Sequence, residues 1–272
     1  MKTTYRLIGD LDRVLAEVPL PQAKNSNAPH ECLLELDAAG LAKTKDQLRQ
    51  LRDQTASWLL VPRSFKPQAF FFDMDATIVN EETLVEMAHL AGVGEVIERM
   101  TNEAMGGKLD FADSLRRRVA LLSGKQAAII DAVVAKLTFT NGIDTLMSEL
   151  RKARLPTFLV SGGFVQMARA LQVRFGLAGI HANTLGINGG ELTGELLGTI
   201  VDAPEKKNFL IETCKKNGWA PENCVAVGDG ANDIPMLQGA GLGIGYCPKS
   251  VVRAVVDGVV GDGDHRRLLA LL

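Results

Sequence analysis

The sequence predicts an α/β fold with a doubly wound parallel sheet, an inserted helical cap and a small N-terminal α/β module, and three observations carry that prediction. After residue 67, strand-like apolar runs (AFFFDMD, PTFLVSGG, IHANTL, CVAVGDG and GLGIGY) alternate with stretches of helical spacing, the pattern of a parallel sheet covered on both faces. From about residue 80 to 137 no strand pattern occurs. Before residue 67, a run rich in proline, Val-Pro-Arg-Ser-Phe-Lys-Pro, separates a shorter segment from the first core strand.

Taken in order, residues 1–66 read as a small α/β module of unassigned role. ECLLELD has strand character, Leu41, Leu48, Leu51 and Ala56 recur at helical spacing between Ala39 and Ser57, and WLLV reads as a further strand. Residues 67–79 and 138–272 form the expected core. Residues 80–137 contain ETLVEMAHL, DFADSLRRRVALL and KQAAIIDAVVAKL, all helical in pattern, with Gly106 and Gly107 between helices. This insertion leaves the sheet after its first strand and returns before its second, so it is expected over the carboxyl end of the strands, where such folds bind ligands. Leu185 to Leu197, with Asn188, Gly189 and Gly190 at its centre, reads as a β-hairpin flanking the same end.

Composition narrows the function. The 272 residues are 46% hydrophobic and carry 30 Lys+Arg against 32 Asp+Glu, a net charge of -2, so no basic field is available for a nucleic-acid backbone or a membrane surface. A small-molecule partner fits better. The cysteines at 32, 214, 224 and 247 form no CxxC pair, which argues against a zinc site and against a disulfide framework and suits a reducing, cytoplasmic setting. The N-terminus, with Lys2, Arg6, Asp10 and Asp12, lacks the apolar core of a signal peptide, and no apolar run is long enough to span a bilayer. Oligomeric state is open, a homodimer included.

Four strings at predicted strand ends carry chemistry. Asp73 and Asp75 follow the first core strand, with Thr77 beyond; residues two apart in a strand share a face, so both carboxylates meet at the mouth of the sheet. A turn of aspartates bonded to their own backbone would give the same string. Ser161-Gly162-Gly163, expected at a strand-to-helix turn, offers a hydroxyl and backbone N–H groups to an anion, although a capping serine in a plain turn would look the same. In DAPEKK, Lys206 or Lys207 could neutralise phosphate charge, and Pro204 marks the helix start. In VAVGDGANDIPM, Asp229 follows a strand while Asn232 and Asp233 open the next helix, placing oxygen donors suited to magnesium within reach of one site. Together they supply the parts for phosphoryl transfer: nucleophile, acid, cation site, anion cradle and positive side chain.

These strings resemble the four motifs of the haloacid dehalogenase superfamily, whose core is Rossmann-like, and more closely those of its phosphoserine phosphatase family, over Phe70 to about Arg267. The resemblance rests on DMDATIVNEET, AMGGKLDFADSLRRRV, LVSGGF, VDAPEKK and AVGDGANDIPM. It implies hydrolysis of O-phospho-L-serine to serine and phosphate, the last step of serine biosynthesis, through an aspartyl phosphate on Asp73 with Asp75 as general acid and base. It further implies Mg2+ held by Asp73, the Asp75 backbone carbonyl and Asp229, with Asp233 behind them. Substrate would be bound by Glu82, Met105, Phe111, Arg118, Ser161, Gly162, Lys206 and Asn232, with Glu82 and Arg118 clamping the ammonium and carboxylate. The resemblance selects Lys206 over Lys207. Ala76 departs from the serine or glycine that many members carry. A related phosphatase and a phosphotransferase share these core strings. A phospho-accepting signalling domain, in which the aspartyl phosphate is the output, is the reading from another class, and Asp75 as acid and base argues for turnover instead. A dinucleotide site at Gly241, Gly243 and Gly245 lacks the third glycine, since Tyr246 follows.

Overall fold

The structure is a computed structural model that describes all residues except 1, 21–22, 27, 29 and 106–110, and leaves the side chains of 25 and 101–105 undescribed. Its first part contains β1 (Thr3–Gly9), α1 (Leu11–Glu17), β2 (Lys24–Asn25), β3 (Glu31–Leu36), α2 (Ala38–Arg49) and β4 (Trp58–Pro62). β5 (Ala69–Phe72) then leads into four cap helices, α3 (Thr83–Leu90), α4 (Gly94–Met105), α5 (Phe111–Ala120) and α6 (Ile129–Val134). The chain re-enters the core through α7 (Ile143–Lys152), β6 (Thr157–Phe164), α8 (Val165–Phe175), β7 (Gly179–Asn188) and β8 (Glu191–Leu197). It finishes with α9 (Ala203–Asn217), β9 (Cys224–Gly228), α10 (Ile234–Gly239), β10 (Leu242–Tyr246), α11 (Ser250–Arg253), β11 (Gly258–Val260) and a 3-10 run at His265–Leu271.

Eleven strands form one sheet in the order β2-β3-β1-β4-β11-β10-β9-β5-β6-β7-β8. The six from β11 to β7 are parallel, as the βα alternation predicts, and β8 pairs antiparallel with β7 as the expected hairpin. The N-terminal strands are antiparallel and continue this same sheet, because β4 pairs with β11 through Leu59 opposite Gly258 and Trp58 opposite Val259. A side chain at Gly258 would run into Leu59, so glycine permits the close approach at this seam. The segment Pro62 to Pro67 thus links two parts of a single layer.

Alternation along the strands divides the interior in two. Phe70, Phe72, Leu159, Val225 and Val227 face α7, α8 and the cap, whereas Ala69, Phe71, Phe158, Cys224 and Ala226 face α9 and α10. The division runs on into the N-terminal strands: Ile8, Leu59 and Val61 join the first core, and Leu7, Trp58 and Leu60 the second. Polar ties reinforce the seam. Lys45 pairs with Asp257 at 2.5 Å, Arg49 donates to the Val255 and Val256 carbonyls, and Arg267 bridges Asp10 and Asp262.

His265 ties the C-terminal run to the segment that follows β5. It is buried, stacks on Tyr246 with ring centroids 4.0 Å apart, and its Nε2 lies 2.8 Å from the Thr77 carbonyl, which makes Nε2–H the donor. Burial pushes its pKa down to about 4, against modest opposition from the Thr77 hydrogen bond and Asp264. An unfolded histidine titrates near ~6.5, so the unfolded chain takes up a proton that the folded chain refuses. The stability this ring contributes is therefore present above about pH 6.5 and lost as pH falls toward about 4, to a limit of about 3 kcal/mol. Denaturant unfolding at pH 7.5 and pH 5 is expected to show that decline in wild type and a flatter acid limb in His265→Gln; identical slopes would remove the assignment.

Candidate active site

The carboxyl ends of β5, β6 and β9 and the start of α9 converge on a buried charged group. Asp73 immediately follows β5, and its backbone N–H is held by the Val227 carbonyl of β9. α9 begins with Asp202 as its cap, the carboxylate accepting from Glu205 N–H at 2.9 Å, and this start fixes Lys206 on the inward face. The Lys206 side chain is 0% exposed, and its Nζ lies 2.8 Å from Asp73 Oδ1 and 2.7 Å from Asp233 Oδ1. Lys207 is exposed. Burial alone would strip the Lys206 proton, but Asp233 and Asp73 outweigh it and its pKa rises. Burial and Asp233 push the Asp73 carboxyl above its usual range, with Lys206 opposing.

Asp233 opens α10 as its N-cap and at the same time closes the turn before it. It ends a 3-10 turn, Ala231–Asp233, and its Oδ2 accepts the N–H groups of Asp229 and Gly230 at 3.1 and 3.0 Å. A Cβ on Gly228 would sit 2.5 Å from the Asp233 carboxyl carbon, so only glycine leaves room for this fold-back. Asp73, Asp229 and Asp233 can each present an oxygen within 4.8 Å of one another. That set could hold a metal ion, and an all-oxygen donor set fits a hard divalent cation. Both Asp233 oxygens already accept hydrogen bonds, which leaves Asp73 and Asp229 as the better direct donors. Burial and Asp233 raise Asp229 to about 6, while Lys249, 3.3 Å from its Oδ2, pulls the other way.

Asp75 turns away from that cluster. Its Oδ2 accepts from both the backbone N–H and the hydroxyl of Thr83 at the start of α3, at 3.1 and 3.0 Å, and its Oδ1 is buried without a partner. Burial and then Glu82 push Asp75 up to about 7, against the Thr83 bonds and Lys206. Glu82 sits at the N-cap of α3 and also acts electrostatically on Asp229 and Arg118. Arg118, 9% exposed on α5, has its pKa lowered by burial, with Glu82 opposing.

Other expected residues fall nearby. β6 continues through Ser161-Gly162-Gly163 to Phe164, so this segment is a strand end rather than the turn the sequence suggests, and α8 starts only at Val165. Ser161 Oγ, buried, accepts Gly163 N–H at 2.9 Å. Phe111 lies against Gly162, its ring tip 3.0 Å from where a Cβ would stand. Asn232 is half-buried beside Gly230. Met105 ends α4, and its side chain lies outside the described residues.

A family model for haloacid dehalogenase-like hydrolases matches residues 67–241. The chain belongs to that family. Among relatives of this hydrolase, the phosphoserine phosphatase of Archaeoglobus fulgidus is 36% identical over 234 residues, covering 85% of this chain and 68% of the relative. A solved phosphoserine phosphatase carrying a phospho-aspartyl intermediate analogue matches with TM-score 0.72 and 37% identity, over 76% of this chain and 99% of that one. A HAD family hydrolase of Salmonella enterica serovar Typhi matches with TM-score 0.84 and 27% identity over 99% of this chain and 98% of its own, so that likeness extends through the N-terminal strands.

Sequence reading missed several residues that shape this hydrolase's site. Thr83 fixes Asp75, and Lys249 pairs with Asp229. Asn183 on β7 donates to the Gly162 carbonyl at 2.9 Å and accepts Val201 N–H at 2.9 Å, tying β6 to the approach of α9. A buried asparagine inside the strand IHANTL was the available signal. Ala76 adopts φ +53°, a left-handed conformation that glycine takes without penalty.

Removing the buried ammonium leaves two carboxylates uncompensated. Lys206→Ala is expected to destabilise the fold by about 3 kcal/mol or more, and Lys207→Ala by no more than about 0.5 kcal/mol. Urea unfolding of the two variants decides the matter, and equal losses would contradict the placement.

Proposed function

We propose that the chain is a magnesium-dependent phosphoserine phosphatase that works through an aspartyl phosphate on Asp73. The observation that carries this reading is the pairing of two carboxyls with different surroundings at one strand end. Asp73 is held beside the Lys206 ammonium, while Asp75 hangs from Thr83 with a pKa of about 7. A carboxyl tuned near neutrality can give and then recover a proton, whereas one anchored by a cation is suited to attack. The relative with a phospho-aspartyl intermediate analogue supports the aspartyl phosphate itself.

In the first half-reaction an Asp73 oxygen attacks phosphorus, the bond from phosphorus to the ester oxygen breaks, and Asp75 protonates the departing serine hydroxyl. In the second, Asp75 takes a proton from water, whose oxygen attacks the aspartyl phosphate, releasing phosphate and restoring Asp73. Ser161, the Gly162 N–H and Lys206 offset charge on the transferring group. Asp73, Asp229 and the Asp75 backbone carbonyl would hold magnesium, which when bound adds cationic charge beside the phosphate. Asp233 holds Lys206 and the Asp229–Gly230 turn behind them, and Asn232 lies on the substrate side.

Substrate choice would reside in the cap. Glu82 offers a partner for the ammonium of phosphoserine and Arg118 one for its carboxylate, with Phe111 and Met105 enclosing the ligand. The four free cysteines, three of them buried, suit a reducing cytoplasm. Among the described residues no helix is long and apolar enough to cross a membrane.

Phosphate release from O-phospho-L-serine and p-nitrophenyl phosphate tests the reading. Chelator and Asp73→Asn are each expected to abolish release, and Arg118→Ala to cut kcat/KM for phosphoserine about 100-fold while leaving the nitrophenyl ester within a few-fold. Equal losses on both esters would remove the amino-acid clamp. Release from neither ester by wild type would remove the phosphatase.

A further inference from the structure

α5 presents an inward stripe on which Phe111, partly buried, and Ser114 and Arg118, both buried, follow one another at helical spacing. Phe111 covers Gly162 of β6, and Arg118 feels the charge of Glu82 across the cap. Between them Ser114 is 1% exposed, and its hydroxyl has no hydrogen-bond partner. A serine in a helix ordinarily returns its hydroxyl to a carbonyl one turn back or turns it to water; this one does neither. Leaving such a group unsatisfied is costly unless a ligand completes it. Asp75 Oδ1 is buried and unpartnered in the same way, and Glu82 acts electrostatically on both Asp75 and Arg118.

We infer that Ser114 is a specificity-determining residue whose hydroxyl donates a hydrogen bond to the carboxylate of the substrate, alongside Arg118. The inference rests on the phosphoserine reading above and deepens it. Arg118 sets the polarity of the position: its Nε donates to the Ser114 backbone carbonyl at 3.3 Å, so its guanidinium lies one turn from the hydroxyl and attracts an anion to both. A hydroxyl can donate to that anion in addition to the guanidinium, and the amino acid's carboxylate is the anionic group left over once its phosphate lies at Asp73. The bond would discriminate against phosphomonoesters without a carboxylate, because in their complexes the serine stays unsatisfied.

The test is steady-state kinetics of wild type and Ser114→Ala with O-phospho-L-serine and with phosphoethanolamine, which keeps the ammonium but lacks the carboxylate. Melting temperatures are measured alongside. Ser114→Ala is expected to raise KM for phosphoserine about ten-fold, to leave kcat within about two-fold, and to leave kcat/KM for phosphoethanolamine unchanged. The melting temperature is expected to be equal or higher, since an unsatisfied hydroxyl has been removed from the interior. An unchanged KM for phosphoserine, or an equal loss on both esters, overturns the role of Ser114 while leaving the phosphatase reading intact. A wild type that hydrolyses phosphoethanolamine as well as phosphoserine overturns the substrate assignment itself, and the Ser114 bond with it.

Discussion

The buried ammonium of Lys206 is the interaction on which the rest of the site depends. Three carboxylates from two strand ends and a turn are gathered where water is scarce, and like charges at that density would otherwise protonate or push apart. One cation, reached from a different element, ties Asp73 to Asp233. Everything that positions Lys206 therefore serves the carboxylates as well: the Asp202 cap that starts α9, the Asn183 brace that holds Val201, and the glycine at 228 that lets Asp233 fold back.

The two halves of the cleft are built on different physics. The floor is made by strand ends locked in a parallel sheet, with side chains fixed by burial and ion pairing. The roof is made by amphipathic helices that bring charge, Glu82 and Arg118, into a partly apolar setting. Thr83 connects them. It belongs to the first turn of the cap and yet holds a carboxylate of the floor through both its backbone N–H and its hydroxyl, so the position of the cap over the sheet and the orientation of Asp75 are linked at this residue.

Much of this was legible in the sequence because function here sits at strand ends, where an apolar run stops and carboxylates begin. DMD after AFFF and GDGAND after CVAV mark such points without any need of long-range information. Choosing Lys206 over Lys207 required the register of α9, which the resemblance supplied and the Asp202 cap makes physical. The pairing of β4 with β11 was not legible, since an antiparallel partner far along the chain leaves no local trace, and the prolines between β4 and β5 carry the look of a linker. Thr83, Asn183 and Ser114 escaped notice for a related reason: a small polar residue inside a regular element declares its role only through what surrounds it.

The seam at β4 and β11 also orders events during synthesis. Trp58 and Val259 are neighbours in the finished sheet but lie about 200 residues apart in the chain, so β4 leaves the ribosome long before its partner exists. Until then β4 offers an open edge of unpaired backbone groups, with Leu59 and Val61 on a face that has no cover. Closing so long a loop is slow. β11 thus completes a sheet edge formed about 200 residues earlier, and that edge is open to other partners until β11 arrives.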